Sequence, residues 1–74
     1  MNEKLILETL ANHTERISIL QENLAGLLAV VESRLPDLSQ EQKVTMKNQI
    51  DAWMKDASDL KTAVKPLREA LKKL

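Results

Sequence analysis

Arg34-Leu35-Pro36-Asp37-Leu38-Ser39-Gln40-Glu41-Gln42 is the stretch on which the fold is decided. Proline bars continuation of a helix arriving from its N-terminal side, and Asp and Ser favour a turn. Ser39 is followed three residues later by Gln42, the spacing of a capping box in which each residue satisfies a backbone amide of the other. The stretch therefore predicts one helix ending at about residue 34, a turn over 35–39, and a second helix starting at about residue 40.

Working outward, the residues on either side repeat with a helical period. Toward the N-terminus, Ile6, Leu10, His13, Ile17, Leu20, Leu24, Leu27 and Val31 alternate steps of four and three residues. Toward the C-terminus, Met46, Ile50, Trp53, Ala57, Leu60, Val64, Leu67, Leu71 and Leu74 do the same. A period of 3.5 residues keeps one narrow apolar stripe on one side of each helix, which is what a supercoiled pair requires. The connection is too short for anything but antiparallel neighbours.

The expected fold class is all-α: an antiparallel two-helix hairpin, coiled-coil-like, forming one domain over 1–74 with helices over 3–34 and 40–74. Pairing the two stripes sets Val31 with Met46, Leu27 with Ile50, Leu24 with Trp53, Leu20 with Ala57, Ile17 with Leu60, His13 with Val64, Leu10 with Leu67 and Ile6 with Leu71. The bulk of Trp53 needs room, which Ala25, Gly26 and Ala29 are placed to give. Pro66 interrupts the second series, yet Leu67, Leu71 and Leu74 stay in phase, so a kink near Pro66 is expected. A short third helix opened by Pro66 is the alternative.

Charge favours the same pairing. Residues 1–41 carry seven acids and three bases, and residues 42–74 carry four acids and eight bases, so the halves balance at −4 and +4 and the chain at zero. Opposite halves attract, although exposed pairs add only about 0–1 kcal/mol each.

Composition closes several functional classes. The 74 residues include no Cys and a single His, His13, which leaves no disulfide, no thiolate zinc site and no His cluster. With no Gly-rich loop either, an enzyme, a cofactor and a small-molecule substrate are not expected. Glu8, Glu15 and Glu22 recur every seven residues, and the reading of the stripe above puts them on the outermost, solvent-facing side. Met1-Asn2-Glu3-Lys4-Leu5-Ile6-Leu7 fails as a signal peptide because an acid sits in the charged region and the apolar run is short, so a cytoplasmic location is expected, with no membrane association. His13, the one polar member of the first stripe, reads as a ring near the open end of the hairpin that keeps its nitrogens in water.

Two helices touching along one seam leave apolar residues over. Leu5, Leu7, Ile19, Leu28 and Val30 on the first helix and Met54, Ala63 and Ala70 on the second flank the seam and widen the stripe beyond what one partner helix covers. These are the candidate partner or oligomer contacts, and a homodimer closing into a four-helix bundle is the simplest way to cover them. A heteromeric protein partner is the other. Lys61, Lys65, Arg68, Lys72 and Lys73 form a basic row on the last turns, the candidate contacts to an anionic partner. No residue motif ties the chain to a family; only its outline resembles small bundle-forming hairpins such as Rop-like regulators and needle-subunit chaperones, and nothing of their function is carried over. The expected function is a non-enzymatic protein–protein interaction module acting as adaptor, chaperone or inhibitor, with a nucleic-acid-binding bundle as the alternative.

Overall fold

The computed structural model describes residues 2–74, which form two helices, α1 (Glu3–Arg34) and α2 (Gln40–Lys72), packed side by side. Asn2 caps α1, its side-chain oxygen accepting from the Leu5 amide at 3.1 Å. The capping box at the start of α2 is complete: the Gln42 amide donates to Ser39 Oγ at 3.1 Å, and the Ser39 amide donates to Gln42 Oε1 at 2.9 Å. Both satisfy amides that would otherwise face water unpaired at the helix start. The turn thus sits where proline and the Ser-x-x-Gln spacing put it. The helix α2 closes at Lys72, two residues earlier than expected.

Pro66 lies inside α2, which runs through it as one helix, so the third-helix alternative is set aside. The hairpin measures 55 × 16 × 13 Å, with a radius of gyration of 16.9 Å. A compact chain of this length would have a radius near 11 Å. The excess is the signature of a rod two helices wide, in which no residue can be surrounded on all sides unless it is small and lies between the helices.

That constraint decides which side of α1 faces α2. The residues of α1 that are buried are Ala11, Ser18 and Ala25, and those half-buried beside them include Leu7, Thr14, Gln21 and Leu28. They form their own heptad series, displaced by one residue from the stripe expected to make the contact. On α2 the expected stripe does face inward: Ala57 is buried, and Met46, Ile50, Trp53, Leu60, Val64, Leu67 and Leu71 are half-buried. Only Leu74, beyond the helix, is exposed.

The expected pairing is therefore corrected on the α1 side. One residue turns a helix by about 100°, enough to swing Ile6, Leu10, His13, Ile17, Leu20, Leu24, Leu27 and Val31 out of the seam; all of them are exposed. Ala57, expected opposite Leu20, instead accepts a hydrogen bond from Ser18 at 2.9 Å. The physical reason is close approach: Ala11, Ser18 and Ala25 recur every seven residues and have no bulk beyond Cβ or a hydroxyl, so the helix backbones can come together over the middle of the rod. Of the three small residues expected to give Trp53 room, only Ala25 is buried; Ala29 is exposed, and a Cβ built on Gly26 would meet nothing within 4 Å.

Candidate interaction surface

The same one-residue turn relocates the charges. Glu15 and Glu22 lie one position after the seam residues Thr14 and Gln21, and Lys61 and Arg68 lie one position after Leu60 and Leu67. Arg68 pairs with Glu15 at 2.6 Å and also donates to Asn12 Oδ1 at 3.1 Å, while Lys61 pairs with Glu22. Both pairs join α1 to α2, and each partner is seven residues from its counterpart on the same helix. Two of the three glutamates expected on the outermost face, Glu15 and Glu22, thus line one edge of the hairpin seam, and the attraction between acidic and basic halves takes the form of a two-rung ladder.

This ladder divides the basic row. Lys61 and Arg68 are engaged within the hairpin, whereas Lys65, Lys72 and Lys73 are exposed and enter no ion pair among the described residues. A third ion pair, Lys55 with Asp59 at 2.9 Å, lies along the surface of α2; the Asp59 carboxylate accepting from it raises the Lys55 ammonium above its ordinary pKa.

The opposite edge carries the apolar surface. If one-after positions meet on one side of an antiparallel pair, one-before positions meet on the other. There α1 presents Leu10, Ile17 and Leu24, one position before Ala11, Ser18 and Ala25, and α2 presents Gln49, Asp56, Ala63 and Ala70, one position before Ile50, Ala57, Val64 and Leu71. Large side chains of α1 thus share an edge with two small ones of α2, Ala63 and Ala70, and with the polar Gln49 and Asp56. Ile6, Leu20 and Leu27 extend the α1 part outward, and their exposure is large for aliphatic residues: Leu20 is 59% and Leu27 65% accessible.

Of the residues expected to meet a partner, Leu5, Ile19, Val30, Met54 and Ala63 are exposed. Leu7, Leu28 and Ala70 are half-buried, Leu7 and Leu28 being members of the hairpin's own seam. The structure brings Ala63 and Ala70 to the edge that carries the α1 stripe and sets Met54 on the ladder edge, one position after Trp53. The α1 stripe itself, expected in the hairpin core, is not among the expected partner contacts. His13 lies on this exposed stripe.

The amount of surface left open can be judged against mass. The protein exposes 5794 Å², whereas a compact monomer of 8.4 kDa is expected to expose about 4,600 Å². The excess is about 1,200 Å² on that scaling. Among the described residues the fully buried ones are four small ones, Ala11, Ser18, Ala25 and Ala57. So slight a core is unusual for a domain that must offset its ordering entropy alone.

Among the described residues there is no cavity and no cluster of three His, Asp or Glu side chains able to hold a metal, and no helix is long and apolar enough to cross a membrane. Comparison with protein-family models, with curated proteins and with solved structures finds no match to this chain.

Proposed function

We propose that the protein is a non-enzymatic protein–protein interaction module, a cytoplasmic adaptor, chaperone or inhibitor, that works by offering the apolar stripe of α1 to another helical surface. One observation carries the reading. Seven large aliphatic residues, Ile6, Leu10, Ile17, Leu20, Leu24, Leu27 and Val31, keep heptad phase along α1 yet all lie open on one side of a hairpin whose buried core is four small residues. A stripe with coiled-coil periodicity is suited to a helix, and covering it removes from water the apolar area that the hairpin cannot cover. Closure of two hairpins into a four-helix bundle, with a bend at Pro66 and supercoiling of the helices, belongs to the same proposal.

The nucleic-acid reading has less support. Lys61 and Arg68 already face glutamates, which leaves Lys65, Lys72 and Lys73 for phosphates, and no aromatic residue interleaves with them for stacking. Retention of RNA or DNA at about 50 mM salt, lost steeply as salt rises, would restore it.

Sedimentation velocity at micromolar concentration tests the module reading. The wild type is expected to sediment as an assembly, and Leu20→Gln with Leu24→Gln as a monomer of unchanged helicity, since neither side chain is in the hairpin seam. A dispersed wild-type monomer, fully helical and melting independently of concentration, would remove the reading.

A further inference from the structure

We propose that the occupant of the α1 stripe is a second copy of this chain, laid antiparallel on the first about a two-fold axis passing between Ser18 and Ile19. The inference rests on the reading of that stripe as a docking face and adds its partner and geometry.

The first support is the pattern itself. Steps of four and three along Ile6, Leu10, His13, Ile17, Leu20, Leu24, Leu27 and Val31 read the same in both directions. Reversing a second stripe on the first therefore sets Ile6 against Val31, Leu10 against Leu27, His13 against Leu24 and Ile17 against Leu20, with every layer filled. A two-fold axis uses the same patch twice, which is what such self-complementarity requires.

The second support is charge. Glu3 precedes Ile6 by three residues and Arg34 follows Val31 by three, so both lie in phase with the stripe and bracket it. Both are exposed, and neither enters an ion pair among the described residues. The antiparallel register places Glu3 of each copy against Arg34 of the other, one opposite-charge pair at each end. A parallel register would set Glu3 on Glu3, Arg34 on Arg34 and His13 on His13, so charge selects the antiparallel one. The α1 flanks raise no objection: Thr9 falls opposite Val30, Arg16 opposite Asn23, Leu7 opposite Leu28 and Thr14 opposite Gln21, with no like charges meeting between them, whereas Asp56, which the Ser18–Ala57 bond sets level with the axis, brings one acid of each copy to the α2 side of the same edge, a cost the end pairs must outweigh. The acidic row of Glu8, Glu15 and Glu22 lies half a turn away on the ladder edge.

The third support is area. A standard interface takes about 800 Å² from each partner, which the hairpin's surplus of about 1,200 Å² over a compact monomer accommodates.

Charge reversal tests the proposal without touching an apolar residue. Glu3→Arg sets arginine against arginine at both ends of the homodimer, and Arg34→Glu sets glutamate against glutamate. Each variant alone is expected to associate about tenfold more weakly than the wild type. An equimolar mixture of the two is expected to recover wild-type affinity, because the heterodimer pairs opposite charges at both ends. Recovery on mixing cannot come from repaired helices, since each chain keeps its own altered terminus. The absence of native cysteine also permits single nitroxide labels on Thr9→Cys and Arg16→Cys. In the antiparallel dimer the labels at 16 are expected within about 15 Å of each other and those at 9 about 30 Å apart, from a rise of 1.5 Å per residue. An assembly indifferent to charge reversal, or one with both label pairs close, overturns the second-copy geometry and leaves the module reading standing. A wild type that never assembles overturns both.

Discussion

The Ser18 hydroxyl donates to the backbone carbonyl of Ala57 at 2.9 Å, joining the two helices through an atom of the main chain. A side chain as short as serine reaches a neighbouring helix backbone only where the two rods nearly touch. Both residues are fully buried, so the place where the hairpin is tightest is also where it is least greasy. A seam of this kind resists volume more than it resists loss of a hydrogen bond.

Ser18→Ala should therefore be mild, costing no more than about 1 kcal/mol, since hydroxyl and acceptor partner leave no buried charge behind. Ser18→Leu or Ala57→Leu should each cost about 1–3 kcal/mol or more by forcing the helices apart. Urea unfolding followed by circular dichroism measures both. Equal tolerance of Leu and Ala at residue 18 would mean that this residue is not in the seam.

Among the described residues Gln21 is the seam's one internal fault. Its Oε1 is buried with no hydrogen-bond partner, and an unmade bond of this type costs about 1–3 kcal/mol. Gln21→Leu should stabilise the hairpin by about 1 kcal/mol. A loss of stability instead would show that the amide finds a partner in solution.

The ladder of Glu22 with Lys61 and Glu15 with Arg68 should behave as exposed ion pairs do. Double-mutant cycles to alanine are expected to give about 0.2–1 kcal/mol per rung, falling as salt approaches 1 M. Coupling that is absent at low salt would argue for another rotation of α1.

Two backbone changes should stabilise the fold by themselves. Gly26 is exposed in mid-helix and a Cβ there meets nothing, so Gly26→Ala should add about 0.5–1 kcal/mol. Pro66→Ala restores the amide that proline lacks inside α2 and should add up to about 3 kcal/mol. Thermal melts report both. A Pro66→Ala variant less stable than the wild type would mean that the proline shapes a contact which a regular helix lacks.

The helices and their ends were legible in the sequence because punctuation is local. Pro36, Ser39 and Gln42 act within a few residues, and nothing distant competes with them. The inner face of α2 was legible because only one of its faces has apolar residues in heptad phase. The helix α1 has two series in heptad phase one residue apart, Ile6 to Val31, apolar at all but His13, and Leu7 to Leu28, which includes Thr14, Ser18 and Gln21, so hydrophobic periodicity favours the first. The louder aliphatic one was read as the seam, whereas the hairpin packs on the quieter one. A sharper reading was available in the spacing of Ala11, Ser18 and Ala25, and in the matching seven-residue spacings of Glu15 with Glu22 and Lys61 with Arg68. The surplus of apolar surface was legible from composition, but its position was not, because that follows from the rotation of α1.

The leucine-rich face of α1 lies outside the hairpin, and the proposed function requires that another surface of the same kind cover it. The melting midpoint of the wild type, followed from about 1 to 500 μM, addresses that requirement most directly: each tenfold rise in concentration should add about 1.4 kcal/mol to the dimer's apparent stability, and the midpoint should climb accordingly. In Leu20→Gln with Leu24→Gln it should stay fixed. A wild-type midpoint that does not move across that range, in a fully helical chain, would mean that the face stays open to water and no second copy covers it.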